Sequence, residues 1–373
     1  MHFLPHLFPF HVFTVIFAKR QPRTRQGENE GIRNMNSKLQ LVYVLASSEK
    51  DSYLEEAYVS MYSAKCQMPD VQIILVVDDK TEKTLTGIRK EEVKYADKIV
   101  AIHLDEKYDG KKRSRILKTS LRNLIDGDYL FIDTDTIVVK PLYEITEAKG
   151  DISAVYDLHS TYYKDNFWHE KSVDWDNKMG WHIEKTEHYF NSGVMYVRDN
   201  DVTRAFYKKW NENVLACFEK GVTVDQPALA HTNETFGNII QPLGGVWNCQ
   251  LPHGMQYFWG ANVIHYIPLR TADDKPLFLL RDKRVMDKIK QTGVIGDDVK
   301  EVVSEPMRGL APSVFSVTGD DIEFIKSKVY DFFRHRLHTP FFKVVTEIIV
   351  MMSKIKHAPK MLTRRRKNKE KRQ

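Results

Sequence analysis

In the stretch YLFIDTDTIVV, Asp133 and Asp135 stand two residues apart behind an apolar run. Read as part of one strand over 128–139, that spacing aims both carboxylates at the same side of a sheet. At about 5 Å and an effective dielectric near 20, two such charges repel by roughly 3 kcal/mol, so a buried pair calls for a cation or a shared proton. A divalent metal meets that need, and all-oxygen ligation beside a phosphate-bearing partner favours Mn²⁺ or Mg²⁺ over zinc. The bland alternative, two solvated turn carboxylates, fits poorly with apolar residues on both sides.

The elements that must position this pair begin at Leu39. QLVYVLAS reads as a strand, 51–66 as a helix, VQIILVVDD as a strand, 81–95 as a helix, KIVAIHL as a strand and 114–125 as a helix. Continuous apolar runs such as Ile73–Val77 and Leu130–Ile132 indicate strands covered on both faces. The expected fold class is therefore α/β, a mostly parallel sheet flanked by helices. After Pro141 the pattern loosens, and 156–190 gathers Tyr156, Tyr162, Tyr163, Phe167, Trp168, Trp175, Trp181, Tyr189 and Phe190. Such a segment suits either a surface that stacks on sugar rings or a small satellite core.

Two enzyme classes place Asp-x-Asp in this way. In one, the pair ends a strand of a nucleotide-binding sheet and its metal bridges the diphosphate of a nucleotide sugar. In the other, the haloacid-dehalogenase-like phosphatases, the first Asp is the nucleophile and the second an acid/base; Asp133, Asp135 and Thr136 match that pattern, and Asp297 and Asp298 offer a late acidic pair. The phosphatase motif normally follows the first strand of its core, whereas here several strands and helices precede Asp133. Context favours the nucleotide-sugar reading.

The chain then resembles glycosyltransferase family 8, retaining enzymes of the GT-A fold, through VYVLASSEKDSY, YLFIDTDTIVVKPLYEI, HYFNSGVMYV, TVDQPAL and VIHYI in the same order. The resemblance covers roughly residues 39–280. It implies a GT-A, Rossmann-like domain over 35–280, with a nucleotide-binding half over 39–150 and an acceptor half over 151–280. Asp133 and Asp135 look like the metal pair, with His265 as third ligand. Ala46 and Ser47 look like nucleoside contacts, and Thr134 lies between the metal ligands at the donor. Arg115 and Lys118 resemble a basic helix touching the donor, Asn191 and Ser192 look like donor-sugar contacts, and Gly193 would permit close backbone approach. Asp225 and Gln226 resemble the catalytic Asp-Gln pair, Gln226 steadying an oxocarbenium. The closing motif departs from the family's spacing, so either Lys275 or Arg270 would serve as the diphosphate ligand. The implied activity is metal-dependent transfer of a hexose from a UDP-sugar, with retention, to a glycan or glycolipid acceptor, in surface polysaccharide or lipopolysaccharide synthesis.

Composition sets the remaining bounds. The chain has 373 residues and a formal net charge of +6, but residues 360–373 carry eight basic residues against Glu370 alone, a net +7 that leaves −1 for the rest. A near-neutral body offers no broad footprint for nucleic acid. Cys66, Cys217 and Cys249 are widely spaced and odd in number, which suggests packing cysteines in a reducing compartment. Residues 3–17 are apolar but short for a spanning helix and lack a basic leader, so 1–34 is expected to lie outside the fold, with Met35 the working start. A helical or irregular region over 281–339 follows the domain. Beyond Pro340, apolar residues at helical spacing join the polybasic tail, the composition of an in-plane helix on an anionic membrane, against the bland alternative of a helix packed on the domain with a solvated tail; a non-catalytic membrane-binding module is the functional alternative this segment offers. The expected location is the cytoplasmic face of the cell membrane, with 340–373 as the peripheral anchor.

Overall fold

The structure, a computed structural model, describes residues 39–181, 186–251, 253–267, 276–310, 319–334, 336 and 339–352. The chain lays down β1 (Gln40–Leu45), α1 (Tyr53–Gln67), β2 (Gln72–Asp78), α2 (Asp79–Thr84), α3 (Ile88–Glu91) and β3 (Lys98–Ile102). Next come α4 (Gly110–Ser120), β4 (Tyr129–Ile132), β5 (Thr136–Val138), β6 (Ile152–Tyr156), α5 (His169–Met179) and β7 (Phe190–Val197). The remainder is α6 (Asp201–Glu219), α7 (Gln226–Thr235), β8 (Ile240–Pro242), β9 (Cys249–Gln250), β10 (Val263–His265), α8 (Lys283–Thr292), α9 (Asp297–Ser304), α10 (Gly319–Lys326) and α11 (Lys328–Arg334).

Seven strands form one sheet in the order β3-β2-β1-β4-β7-β6-β8. β3, β2, β1 and β4 are parallel, and β7 runs antiparallel to both β4 and β6. A second sheet pairs β5, β10 and β9. The α/β expectation, a mostly parallel sheet flanked by helices, is met.

Alternation along each strand divides the core. Val42, Val44, Ile74, Val76 and Phe131 face α4 and α6, meeting Leu117, Phe206 and Trp210. Leu41, Tyr43, Leu45, Ile73, Leu75, Leu130 and Ile132 face α1, meeting Leu54, Ala57 and Met61. The opposite side of α1 supplies Tyr58 and Val59 to a third cluster with Ile137, Ile264, Tyr266, Phe278, Leu280, Met286, Ile289 and Val302. The apolar core thus continues past residue 280 into α8 and α9.

Two local expectations change. The helix expected over 81–95 divides into α2 and α3 at Gly87, whose φ of +54° is left-handed and breaks a helix. The single strand expected over 128–139 divides into β4 and β5, which belong to different sheets. Asp133, Thr134 and Asp135 form the link, so their same-side strand geometry does not apply.

Candidate functional site

That link is pinned from both sheets. The Asp133 amide donates to Gly193 O at 2.8 Å, prolonging the β4–β7 ladder, while Asp135 O accepts from the Tyr266 amide at 3.1 Å just beyond β10. Thr136 Oγ1 donates to Asp133 O at 2.8 Å and meets Ser60 Oγ of α1 at 2.8 Å. The chain therefore steps from the large sheet to the small one at Asp-Thr-Asp. The step, not strand periodicity, makes the two carboxylates converge.

His265, at the end of β10, completes the cluster. One ligand atom each from Asp133, Asp135 and His265 lie within 4.8 Å of one another. The hydrogen-bond network assigns the imidazole tautomer. Asn248 Nδ2 donates to Asn191 Oδ1 at 2.9 Å, which leaves Asn248 Oδ1, 3.0 Å from His265 Nδ1, as an acceptor. Nδ1 must then carry the proton and Nε2 a lone pair. Nε2 lies 3.1 Å from Asp135 Oδ1, so in the neutral ring two acceptors face each other. Only an added proton or a cation relieves that contact. Burial disfavours the charged ring, but Asp135, with Asp133 behind it, outweighs burial and raises the His265 pKa. Burial likewise opposes the Asp135 charge, and His265 and Arg281 overcome it, holding the carboxyl at about 2. A carboxylate pair, an imidazole lone pair and a hydrogen-bonded partner behind the ring form a donor set that fits a divalent cation.

The basic residues of α4 meet the same site. Lys118, almost wholly buried, places Nζ 2.9 Å from Ser192 Oγ, 3.3 Å from Asp133 Oδ1 and 3.5 Å from Asp225 Oδ2. Arg115 Nε lies 3.0 Å from Asp225 Oδ1, and Ser192 donates to Asp225 Oδ2 at 2.8 Å. Burial works against the Asp225 charge, yet Arg115 and Lys118 carry its pKa far below the usual carboxylate range. Asp225 therefore remains an anion that anchors two cations, a poor proton acceptor near neutrality.

Gln226 opens α7, and its Nε2 donates to Asp157 Oδ1 at 2.7 Å; Asn191 Nδ2 donates to the same oxygen at 2.9 Å, and Asn166 Nδ2 to Oδ2 at 3.0 Å. Ala46 and Ser47 are buried at the carboxyl end of β1, where the Ser47 hydroxyl donates to Asp51 and its amide to Thr81 Oγ1. Thr134 is partly exposed between the two aspartates. The structure thus gathers Arg115, Lys118, Asp133, Thr134, Asp135, Asn191, Ser192, Asp225, Gln226 and His265 in one region. Lys275 and Arg270 lie outside the described residues.

Sequence reasoning missed three participants. Asp157 is buried directly after β6, and burial raises its pKa even though Asn191, Asn166 and Gln226 all donate to it. Its signal was present: ISAVYD is an apolar strand ending in Asp, as LFID is at Asp133. Asn248 has no such signal, because only the fold brings it behind His265. Glu56, in the first turn of α1, pairs with Arg281 at 2.9 Å. The phosphatase reading loses its late acidic pair, since Asp297 is 93% exposed and bonds Lys300.

No protein-family model and no curated protein matches the chain. Among solved structures it is similar to the apo form of the bifunctional glycosyltransferase WbbM, with 14% identity, 62% of this chain and 46% of that chain covered, and a TM-score of 0.44. It is also similar to the galactosyltransferase LgtC in complex with donor and acceptor sugar analogues, with 14% identity, 75% and 98% covered, and a TM-score of 0.43. A third is the glycosyltransferase GlyE of Streptococcus pneumoniae, with 15% identity, 75% and 67% covered, and a TM-score of 0.43. The chain spans less than half of the first. At this level of likeness no substrate, metal or reaction is transferred to the present site, which rests on its own residues.

Proposed function

We propose that the chain is a metal-dependent glycosyltransferase of the family 8 kind, moving a hexose from a UDP-sugar to a glycan or glycolipid acceptor with retention. The observation that carries this reading is the facing of His265 Nε2 and Asp135 Oδ1 at 3.1 Å with Asp133 beside them, a contact that a divalent cation relieves. Asp133, Asp135 and His265 would hold Mn²⁺ or Mg²⁺. When bound, the ion supplies positive charge to the diphosphate that leaves.

The chain's own residues divide the rest of the work. Asn191, Ser192 and Asp157 line the sugar end, where a carboxylate and amide groups bond hydroxyls. Asp225 stays ionised and holds Arg115 and Lys118 against the site, placing fixed positive charge near the donor. Because Gln226 Nε2 is tied to Asp157, its amide oxygen has a set orientation from which it steadies the positive charge growing on the sugar. The acceptor hydroxyl attacks from the face the diphosphate leaves and passes its proton to that leaving group. His188 lies between Tyr156, tilted against it with ring centroids 5.1 Å apart, and Tyr162, stacked on it at 6.1 Å, a platform suited to an acceptor sugar.

Residues 340–352 are helical and expose Phe341, Val344, Ile348, Ile349, Met351 and Met352. With the basic residues that follow in sequence, this composition supports docking on an anionic membrane at a lipid-linked acceptor. No helix among the described residues is long and apolar enough to cross a membrane. The test is a screen of UDP-sugars with Mn²⁺ for release of UDP. Metal-dependent UDP release from one donor supports the reading. Release of phosphate from simple esters, with an aspartyl-phosphate at Asp133, would replace it with the phosphohydrolase.

A further inference from the structure

A nucleoside diphosphate brings three negative charges or so to a region already rich in carboxylates, so its binding calls for a cation not committed to the sugar end. Lys118 is shared among Asp133, Ser192 and Asp225, and Arg115 is spent on Asp225. Arg281 differs from both. It sits in the 3-10 turn Leu279–Arg281, anchored by its amide to Phe278 O at 2.9 Å, and the Phe278 ring packs against Tyr266 at 5.7 Å. Tyr266 is the residue whose amide holds Asp135 O. Arg281 Nη1 reaches Glu56 Oε1 at 2.9 Å, and Glu56 lies one turn of α1 before Ser60, the hydroxyl that meets Thr136 beside Asp135. Arg281 is 28% exposed, and Glu56, its one ion-pair partner among the described residues, is buried. A guanidinium held at one edge by a buried glutamate side chain presents its remaining donors in a fixed plane that suits phosphate oxygens.

We propose that Arg281, positioned by Glu56, is a ligand of the nucleotide's diphosphate on the α1 side of the metal cluster. The inference rests on the nucleotide-sugar reading and adds to it a residue from beyond the region in which the sequence resemblance lies. Calorimetric titration of the full chain with Mn²⁺ and either UDP or uridine tests it. Arg281→Gln is expected to weaken UDP by about 10- to 100-fold, the loss of one or two charge-assisted hydrogen bonds, and to leave uridine unchanged. Equal UDP affinity in Arg281→Gln and the unaltered chain overturns the inference alone. Absence of UDP binding by the unaltered chain overturns the nucleotide-sugar reading and this inference with it. If Arg281→Gln loses uridine as well, Arg281→Lys decides: weaker UDP with uridine intact upholds the role, because the charge remains while the planar fork is lost, and unchanged UDP overturns it.

Discussion

Gly193 and His265 approach so closely that a Cβ on Gly193 would stand 2.4 Å from His265 Cε1 and 2.8 Å from Nδ1. The sequence resemblance placed this glycine where backbone must come near a ligand, but the group it admits is the imidazole of His265. Gly193→Ala should therefore displace the ring, costing about 1–3 kcal/mol of stability and weakening Mn²⁺ binding. Thermal unfolding and metal titration of the variant check both effects.

Asn248 would act on a bound metal ion through His265, whose Nδ1 lies 3.0 Å from its Oδ1. Removing its Oδ1 in Asn248→Ala frees the ring to rotate and to exchange tautomers, so Mn²⁺ affinity should fall about 10- to 100-fold with the three ligands intact. Metal titration measures this; an unchanged affinity would mean that the ring is held by other contacts.

Asp157 joins the Asn191 and Gln226 amides at one carboxylate oxygen. Asp157→Asn replaces an acceptor with a group that competes as a donor, so kcat with a UDP-sugar should drop by about 100-fold or more while UDP affinity stays unchanged. A matched fall in UDP affinity would place Asp157 at the nucleotide instead.

Glu92 is fully buried, with no hydrogen-bond partner for either carboxylate oxygen among the described residues, and burial followed by Glu55 raises its pKa from 4.5 to about 7. Between those values the folded chain holds more protons than the unfolded chain, so this residue makes stability decline as pH rises from about 4.5 to 7. Glu92→Gln should remove that decline, gaining up to about 3 kcal/mol over the parent at pH 8 relative to pH 4. Denaturant unfolding at the two pH values checks the difference.

The sheet and its helices were legible because β1, β2 and β4 are buried on both faces, and their apolar runs announce it. The Asp-Thr-Asp link was legible as a site for a partly mistaken reason: its carboxylates converge where the chain changes sheets, a tertiary event that two-residue spacing does not encode. Gly87 marked the break between α2 and α3, but a lone glycine in a polar helical stretch is a weak signal. Asn248 and the Glu56–Arg281 pair join residues 225 apart or belong to irregular segments, so local pattern could not find them.

Asp133, Asp135 and His265 are proposed to hold one divalent ion together. Electron paramagnetic resonance titration of Mn²⁺ into the full chain, with UDP present, tests it most directly. One bound ion per chain is expected in the unaltered protein and none in Asp135→Ala at the same concentrations. Equal Mn²⁺ binding by Asp135→Ala would contradict it.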